Sequence, residues 1–400
     1  MTDFGSGISP VQDWATDYDI LDPEYIKDPV PVWTSLREQC PIARTERRQA
    51  SWLPVDYDDV RDFAADTDLF SSADPIVISN PSPDAPPPNA PPITSDPPEH
   101  FGARRLILPA FSPKATAAHE PYTRDLCRRL LDGFRGHGRV DAAADYAQQI
   151  PPRVIAHLLG VNEERSADFT HWVRCALELG MSDPPLRDWA REQIFGFFSE
   201  EVAARRAQPG SDFISEMITA EIDGAPITDH QLVGTCNLLL VAGIDTTWSS
   251  IGSAIWHLAT HSHDRRRLVE EPDLISVAVE ELLRAYSPVT MARLVTRDED
   301  FKGCPMKAGD TIIMNFPAAN RDPKVFPEPD QVIIDRAENR HVAFGVGIHR
   351  CAGSNLARME MKVAIEEWLK AIPEFALDEP EEVIWAGGQV RGPRQLKVTF

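Results

Sequence analysis

One segment limits the possible folds more than any other. From about Thr228 to Ala259, apolar residues occupy almost every face of a continuous helical pattern. Thr228, Asp229 and His230 offer capping side chains at its start. About 32 residues at roughly 1.5 Å each make a rod near 48 Å long. A helix that is apolar all round is stable only where protein covers it all round, so it must run through the centre of the molecule. Polar residues interrupt it at Asp245, Thr246 and Thr247, and no uninterrupted apolar run of about 18 residues occurs, so no transmembrane helix is expected.

Around this rod the pattern is mostly helical from Glu99 to about Tyr286, with breaks at Asp183-Pro184-Pro185 and Gln208-Pro209-Gly210. Residues 23–74 read as mixed helix and strand, with Trp52-Leu53-Pro54-Val55 a short strand. Strands and turns return from Met291 to Arg340, and a last helix is expected from near Cys351 to about Ala371. Ten of the 35 prolines fall between Pro75 and Pro98, where neither a helix nor a central strand can run. This stretch is either a linker or a long ordered loop over a site, and Ile76, Val77, Ile78 and Ile93 argue for packing. The expectation is a mainly α protein with a smaller β-rich region: residues 1–22 as an N-terminal tail and 23–400 as one domain.

The formal charge of −22 argues against nucleic acid or an anionic membrane surface as the partner. The six cysteines stand far apart with no C-x-x-C pair, against a zinc ribbon or a dense disulfide framework. The first residues lack the basic and apolar regions of a signal peptide, so a cytoplasmic location is expected. P-loop, H-E-x-x-H, G-x-S-x-G and EF-hand motifs are all missing.

The most informative segment is Phe344-Gly345-Val346-Gly347-Ile348-His349-Arg350-Cys351-Ala352-Gly353. It is a glycine-rich loop that delivers one cysteine to the start of a helix, where backbone amides and the macrodipole favour a thiolate. Such a thiolate suits a soft metal, iron above all. The pattern F-G-x-G-x-H-x-C-x-G resembles that of the cytochrome P-450 superfamily at every fixed position. The resemblance implies a triangular helical prism with a long central helix. It also implies haem b (iron protoporphyrin IX), with Cys351 as axial ligand of the iron.

Other segments follow the family's order. Ala242-Gly243-Ile244-Asp245-Thr246-Thr247 lies in the long helix, where small Ala242 and Gly243 would leave room for a ligand. Asp245 and Thr246 would pass protons to bound oxygen, the alternative being side-chain bonds back to helix carbonyls. Glu281 and Arg284, three apart on one helix face, resemble the family's E-x-x-R. Arg336 matches their third partner, and the three are read as structural supports. His100 and Arg104, four apart, together with Arg293 and His349, match the partners of the haem carboxylates.

The implied reaction inserts one oxygen atom from O2 into a C–H bond. With no flavin or iron–sulfur motif in the chain, electrons are expected from a separate ferredoxin and its NAD(P)H-dependent reductase. Arg340, Arg350, Arg358 and Lys362 would form a basic docking patch despite the overall charge. By position, Leu238, Val241, Ala242, Val289, Thr290, Gln389 and Val390 would line the pocket, with Ile76, Val77, Ile78 and Ile93 closing over it. Most are apolar, so the expected substrate is a small or medium hydrophobic molecule, bound by a monomer. A haem-thiolate peroxygenase or isomerase, or a non-catalytic haem sensor, are the alternatives.

Overall fold

The computed structural model describes residues 9–78, 88–222 and 224–400. Its axis is the helix Asp229–Thr260. Thr228 caps it with a reciprocal pair: the Gln231 amide donates to Thr228 Oγ1, and the Thr228 amide donates to Gln231 Oε1. By length and composition this helix could cross a membrane, but most of it is buried inside the protein. Helices Ile150–Leu159, Pro184–Ala207 and Ser354–Ala371 and the strand Gly392–Gln395 pack against it.

The strand contact requires glycine on both sides. A Cβ on Gly252 would stand 2.8 Å from Pro393 Cγ, and one on Gly392 would stand 2.3 Å from Ser249 Cβ. Each glycine therefore lets a side chain of the other element, Pro393 or Ser249, lie directly on its backbone.

The β-rich region is a five-stranded sheet. Its strands are β1 (Ile42–Thr45), β2 (Ser51–Pro54), β3 (Phe70–Ser71), β4 (Met291–Val295) and β5 (Thr311–Met314), in the order β1-β2-β5-β4-β3. β2 and β5 run parallel, with Thr311 opposite Ser51, and the other neighbours are antiparallel.

The residues expected to be a tail do not all behave as one. Tyr18, Ile20 and Leu21 are buried with Trp33, Leu36 and Leu53 in a second core, and Asp19 is paired with the Arg48 guanidinium. The folded body therefore begins before residue 23, because the second core takes its apolar side chains from there. Val77 and Ile78 belong to the same core, so they do not close over the cavity. The first part of the proline-rich stretch is also tied down: Ala292 N donates to Pro75 O, and Val77 N donates to Gln389 Oε1. Positions 79–87 of that stretch lie outside the described residues.

The last helix starts at Ser354, three residues later than expected, so Cys351 lies in the loop before it. The cause is local. Cys351 N donates to Phe344 O at 2.8 Å, which holds the cysteine in a closed loop after the short turn Gly347–His349.

Glu281 and Arg284 project from the helix Ile275–Ala285 and are fully buried. Glu281 meets Arg284 at 2.8 Å and Arg336 at 3.0 Å, and accepts from Ile333 N and Asn339 Nδ2. Arg284 donates to the Asn320, Pro329 and Gln331 carbonyls. One carboxylate thus fastens the irregular 320–339 segment to the helix.

Three substitutions test this packing. Gly392→Ala should lower unfolding stability by about 1–3 kcal/mol, whereas Ala at the open, exposed helical position Gly133 should raise it by about 0.5–1 kcal/mol. Glu281→Gln keeps the shape but leaves two buried guanidiniums without their anion, so a loss of about 3–5 kcal/mol is expected. Denaturant midpoints followed by circular dichroism measure all three.

Candidate active site

A cavity lies between the central helix and the cysteine loop. The loop's shape depends on Gly345 and Gly347, both at φ +68°. A Cβ on Gly347 would also press on Ala64 O at 3.2 Å. The Arg358 guanidinium lies 4.4 Å from the Phe344 ring centroid and pairs with Glu280. Cys351 is exposed toward the cavity, yet enough protein surrounds it for burial to push its thiol up. The Gly353 amide and the Arg104, Arg350 and Arg358 cations pull it the other way.

Four basic side chains converge beside the loop. His100 and Arg104 come from the helix Glu99–Ile107, Arg293 from β4, and His349 from the loop itself. The His100 and His349 rings are 4.5 Å apart. Arg104 donates to Arg350 O, and His349 Nε2 lies 2.9 Å from Ser72 Oγ. The Nε of Arg293 is buried with no hydrogen-bond partner among the described residues, though its Nη1 donates to Ala292 O at 2.8 Å, and the buried His100 ring has only the Ile348 backbone near its nitrogens, with no bond of good geometry. Burial pushes Arg293 down to about 10. It pushes His349 to about 3, with Arg293, His100 and Arg104 repelling its proton as well. The nearby Asp96 is occupied by Ser71 and the Ser72 amide. This group of donors is built for an anion that the protein does not itself supply.

The opposite wall is one face of the central helix. Leu238, Ala242 and Thr246 line the cavity at four-residue spacing, and Thr246 Oγ1 donates to Ala242 O at 2.9 Å. Val241, one position off that face, packs instead against the main core. Gly243 touches the cavity, but its missing side chain serves a helix contact: a Cβ there would meet Ile155 Cδ1 at 2.5 Å.

Val289 lines the cavity beside Pro288. Thr290, Gln389 and Val390 do not. All three are buried elsewhere in the fold: the Gln389 side chain accepts from Val77 N and donates to Pro75 O, and Thr290 and Val390 are covered by their neighbours. Pro92 and Ile93 close the cavity's far side.

Asp245 faces away from the cavity. Its Oδ1 accepts from Arg394 at 2.8 Å and from Ser249 at 3.0 Å, while Oδ2 is buried without a partner. Arg394 also binds Glu178, which pairs with Arg174. Burial pushes Asp245 up to about 6, although Arg394 pulls it down. The sequence reading missed Arg394 and Glu178, which no local spacing links to Asp245. It also missed Glu360, a fully buried cavity-lining carboxyl whose Oε2 has no partner and which burial pushes well above the usual range. A glutamate between Met359 and Met361 on the helix facing the core was the available signal.

Of the basic residues expected near the loop, Arg340 and Arg350 are exposed. Arg358 is engaged by Glu280, and Lys362 lies 3.7 Å from Glu366.

Comparison with known proteins agrees with this site. The cytochrome P450 family profile matches residues 187–383. The polyketide biosynthesis cytochrome P450 PksS of Bacillus subtilis is 31% identical over 94% of this chain and 97% of its own. Its structure superposes with a TM-score of 0.87, covering 96% of this chain and 99% of its own. The vitamin D(3) 25-hydroxylase of Pseudonocardia autotrophica is 33% identical over 96% of each chain. The crystal structure of CYP101J2 is 30% identical over 98% of both chains, also with a TM-score of 0.87. Likeness of this extent, over a fold whose centre is a cysteine loop facing a buried helix, means that the chain belongs to the cytochrome P450 family of haem-dependent monooxygenases.

Proposed function

We propose that the cavity holds haem b against Cys351 and, beyond it, a small or medium hydrophobic substrate into which one atom of dioxygen is inserted at a C–H bond. The observation that carries this is the convergence of His100, Arg104, Arg293 and His349 beside the loop, with buried nitrogens that have no partner, while the nearest carboxylate, Asp96, is occupied by Ser71 and the Ser72 amide. A flat macrocycle bearing two carboxylates fits that donor set. Bound there, haem supplies the activation of dioxygen and the oxidising power for the C–H bond.

The chain's own residues do the rest. Cys351 offers its sulfur from a loop fixed by two glycines and the Phe344 carbonyl. Leu238, Ala242, Val289, Pro92 and Ile93 exclude water and orient an apolar molecule. Thr246 presents a hydroxyl at the cavity wall. Asp245, held near 6 by burial against Arg394, keeps a proton available close to neutral pH at Oδ2. Glu281, Arg284 and Arg336 hold the segment that leads into the cysteine loop. Electrons arrive from a separate ferredoxin and its NAD(P)H-dependent reductase. The exposed Arg350 and Arg340 offer an acidic donor its complement beside the loop.

Replacing the ligand is the direct test. Cys351→Ala should abolish the thiolate-type carbon monoxide spectrum and product formation while the chain stays folded by circular dichroism. Survival of both signals would end this assignment.

Asp245→Asn should slow turnover by about 10²-fold with the substrate-induced spin change retained. A separate stability effect follows from linkage. The folded-state pKa of Asp245 stands above its ordinary 3.8, so the fold binds its proton more tightly than the unfolded chain does. That stabilisation is complete below 3.8 and is lost as pH rises to about 6. The stability of the protein relative to Asp245→Asn should therefore fall across that window and level off above it, as measured by denaturant unfolding at each pH.

A further inference from the structure

Asn89 and Gly234 form a lock between the segment crossing the cavity and the central helix. Asn89 Nδ2 donates to His230 O at 3.0 Å, and Asn237 Nδ2 donates back to Asn89 O at 3.3 Å. Between these two bonds the Asn89 amide sits where a side chain on residue 234 would be. A Cβ on Gly234 would stand 2.4 Å from Asn89 Oδ1 and 2.7 Å from both Cγ and Nδ2. The glycine is therefore a notch, and the asparagine is the peg that fills it.

The notch belongs to the same helix face as the substrate wall. Gly234, Leu238, Ala242 and Thr246 follow one another at four-residue spacing. What the peg holds is compact. Ile93 N and Thr94 N donate to Ala90 O, Ala90 N donates to Thr94 Oγ1, and Ser95 N donates to Pro92 O. The turn thus moves as a unit. Its other end is fixed by Asp96, which accepts from Ser71 Oγ and Ser72 N at the end of β3. Between the two ties, Pro92 and Ile93 reach the cavity.

We propose that Asn89 is a positioning residue that, seated in the Gly234 notch, sets the distance of Ile93 from the central helix and so the size of molecule the enzyme accepts. This rests on the reading of the cavity as the substrate chamber. Removing the peg takes away the Asn89 side-chain bond to His230 O and leaves this end of the turn tied only through the Asn89 carbonyl, and filling the notch expels the peg. Both changes therefore have one consequence, and together they have no more than either alone.

The test is a double-mutant cycle on the haem-loaded protein with Asn89→Ala, Gly234→Ala and the pair. The probes are 1-alkylimidazoles from methyl to octyl, whose affinities are read from the haem spectrum. Hydrogen exchange at the Ile93, Thr94 and Ser95 amides is read in parallel. Each single variant should shift the octyl-to-methyl affinity ratio about tenfold toward the longer chain and speed exchange about tenfold, the scale of one or two lost hydrogen bonds. The double variant should match the singles. Asn89→Ala leaves the central helix untouched, so it decides the matter even where Gly234→Ala folds poorly. An unchanged ratio and exchange in Asn89→Ala, or effects that multiply in the double variant, would overturn the proposal. If no alkylimidazole of any length perturbs the spectrum, the chamber reading itself is overturned, and the proposal with it.

Discussion

A helix without a polar face needs protein on every side, and much of this structure meets that need. Three helices and a late strand cover Asp229–Thr260. The cover is close because Gly252 and Gly392 let Pro393 and Ser249 lie directly on bare backbone. Around Leu238, Ala242 and Thr246 the helix faces a cavity instead of neighbouring side chains. A gap in an otherwise complete apolar jacket is where a ligand gains most by desolvation. The requirement that stabilises the fold also determines where its chemistry takes place.

The second organising term is electrostatic. Buried charge is costly unless it is answered, and the molecule answers it in two ways. Glu281 with Arg284 and Arg336, and Asp245 with Arg394 and Glu178, are closed groups whose partners lie within the chain. His100, Arg104, Arg293 and His349 form an open group in which the His100 nitrogens and Arg293 Nε have no partner among the described residues, which is why an external anion is proposed there. Closed groups hold segments in place, whereas the open one marks where something must dock.

What could be read from the sequence divides along physical lines. The central helix was legible to within a residue, since capping and apolar periodicity are local signals. The cysteine loop was legible because three glycines and a histidine frame one thiol. Contacts that depend on helix phase were only partly legible: Leu238 and Ala242 face the cavity while Val241 does not, a difference of one residue in register. Gly243 showed the limit of composition, because its smallness also serves a neighbouring helix, a contact no local pattern announces. Arg394 was out of reach, being 149 residues from the aspartate it binds. The tail boundary was misplaced because Tyr18, Ile20 and Leu21 lie in a stretch too short to show a period.

That last arginine also couples two distant parts of the chain. Asp245 lies in the central helix and Arg394 in the strand Gly392–Gln395, and the guanidinium pulls down a proton affinity that burial raises. A disturbance of that strand is therefore felt as a change in an acid on the helix, with no side chain of the helix altered.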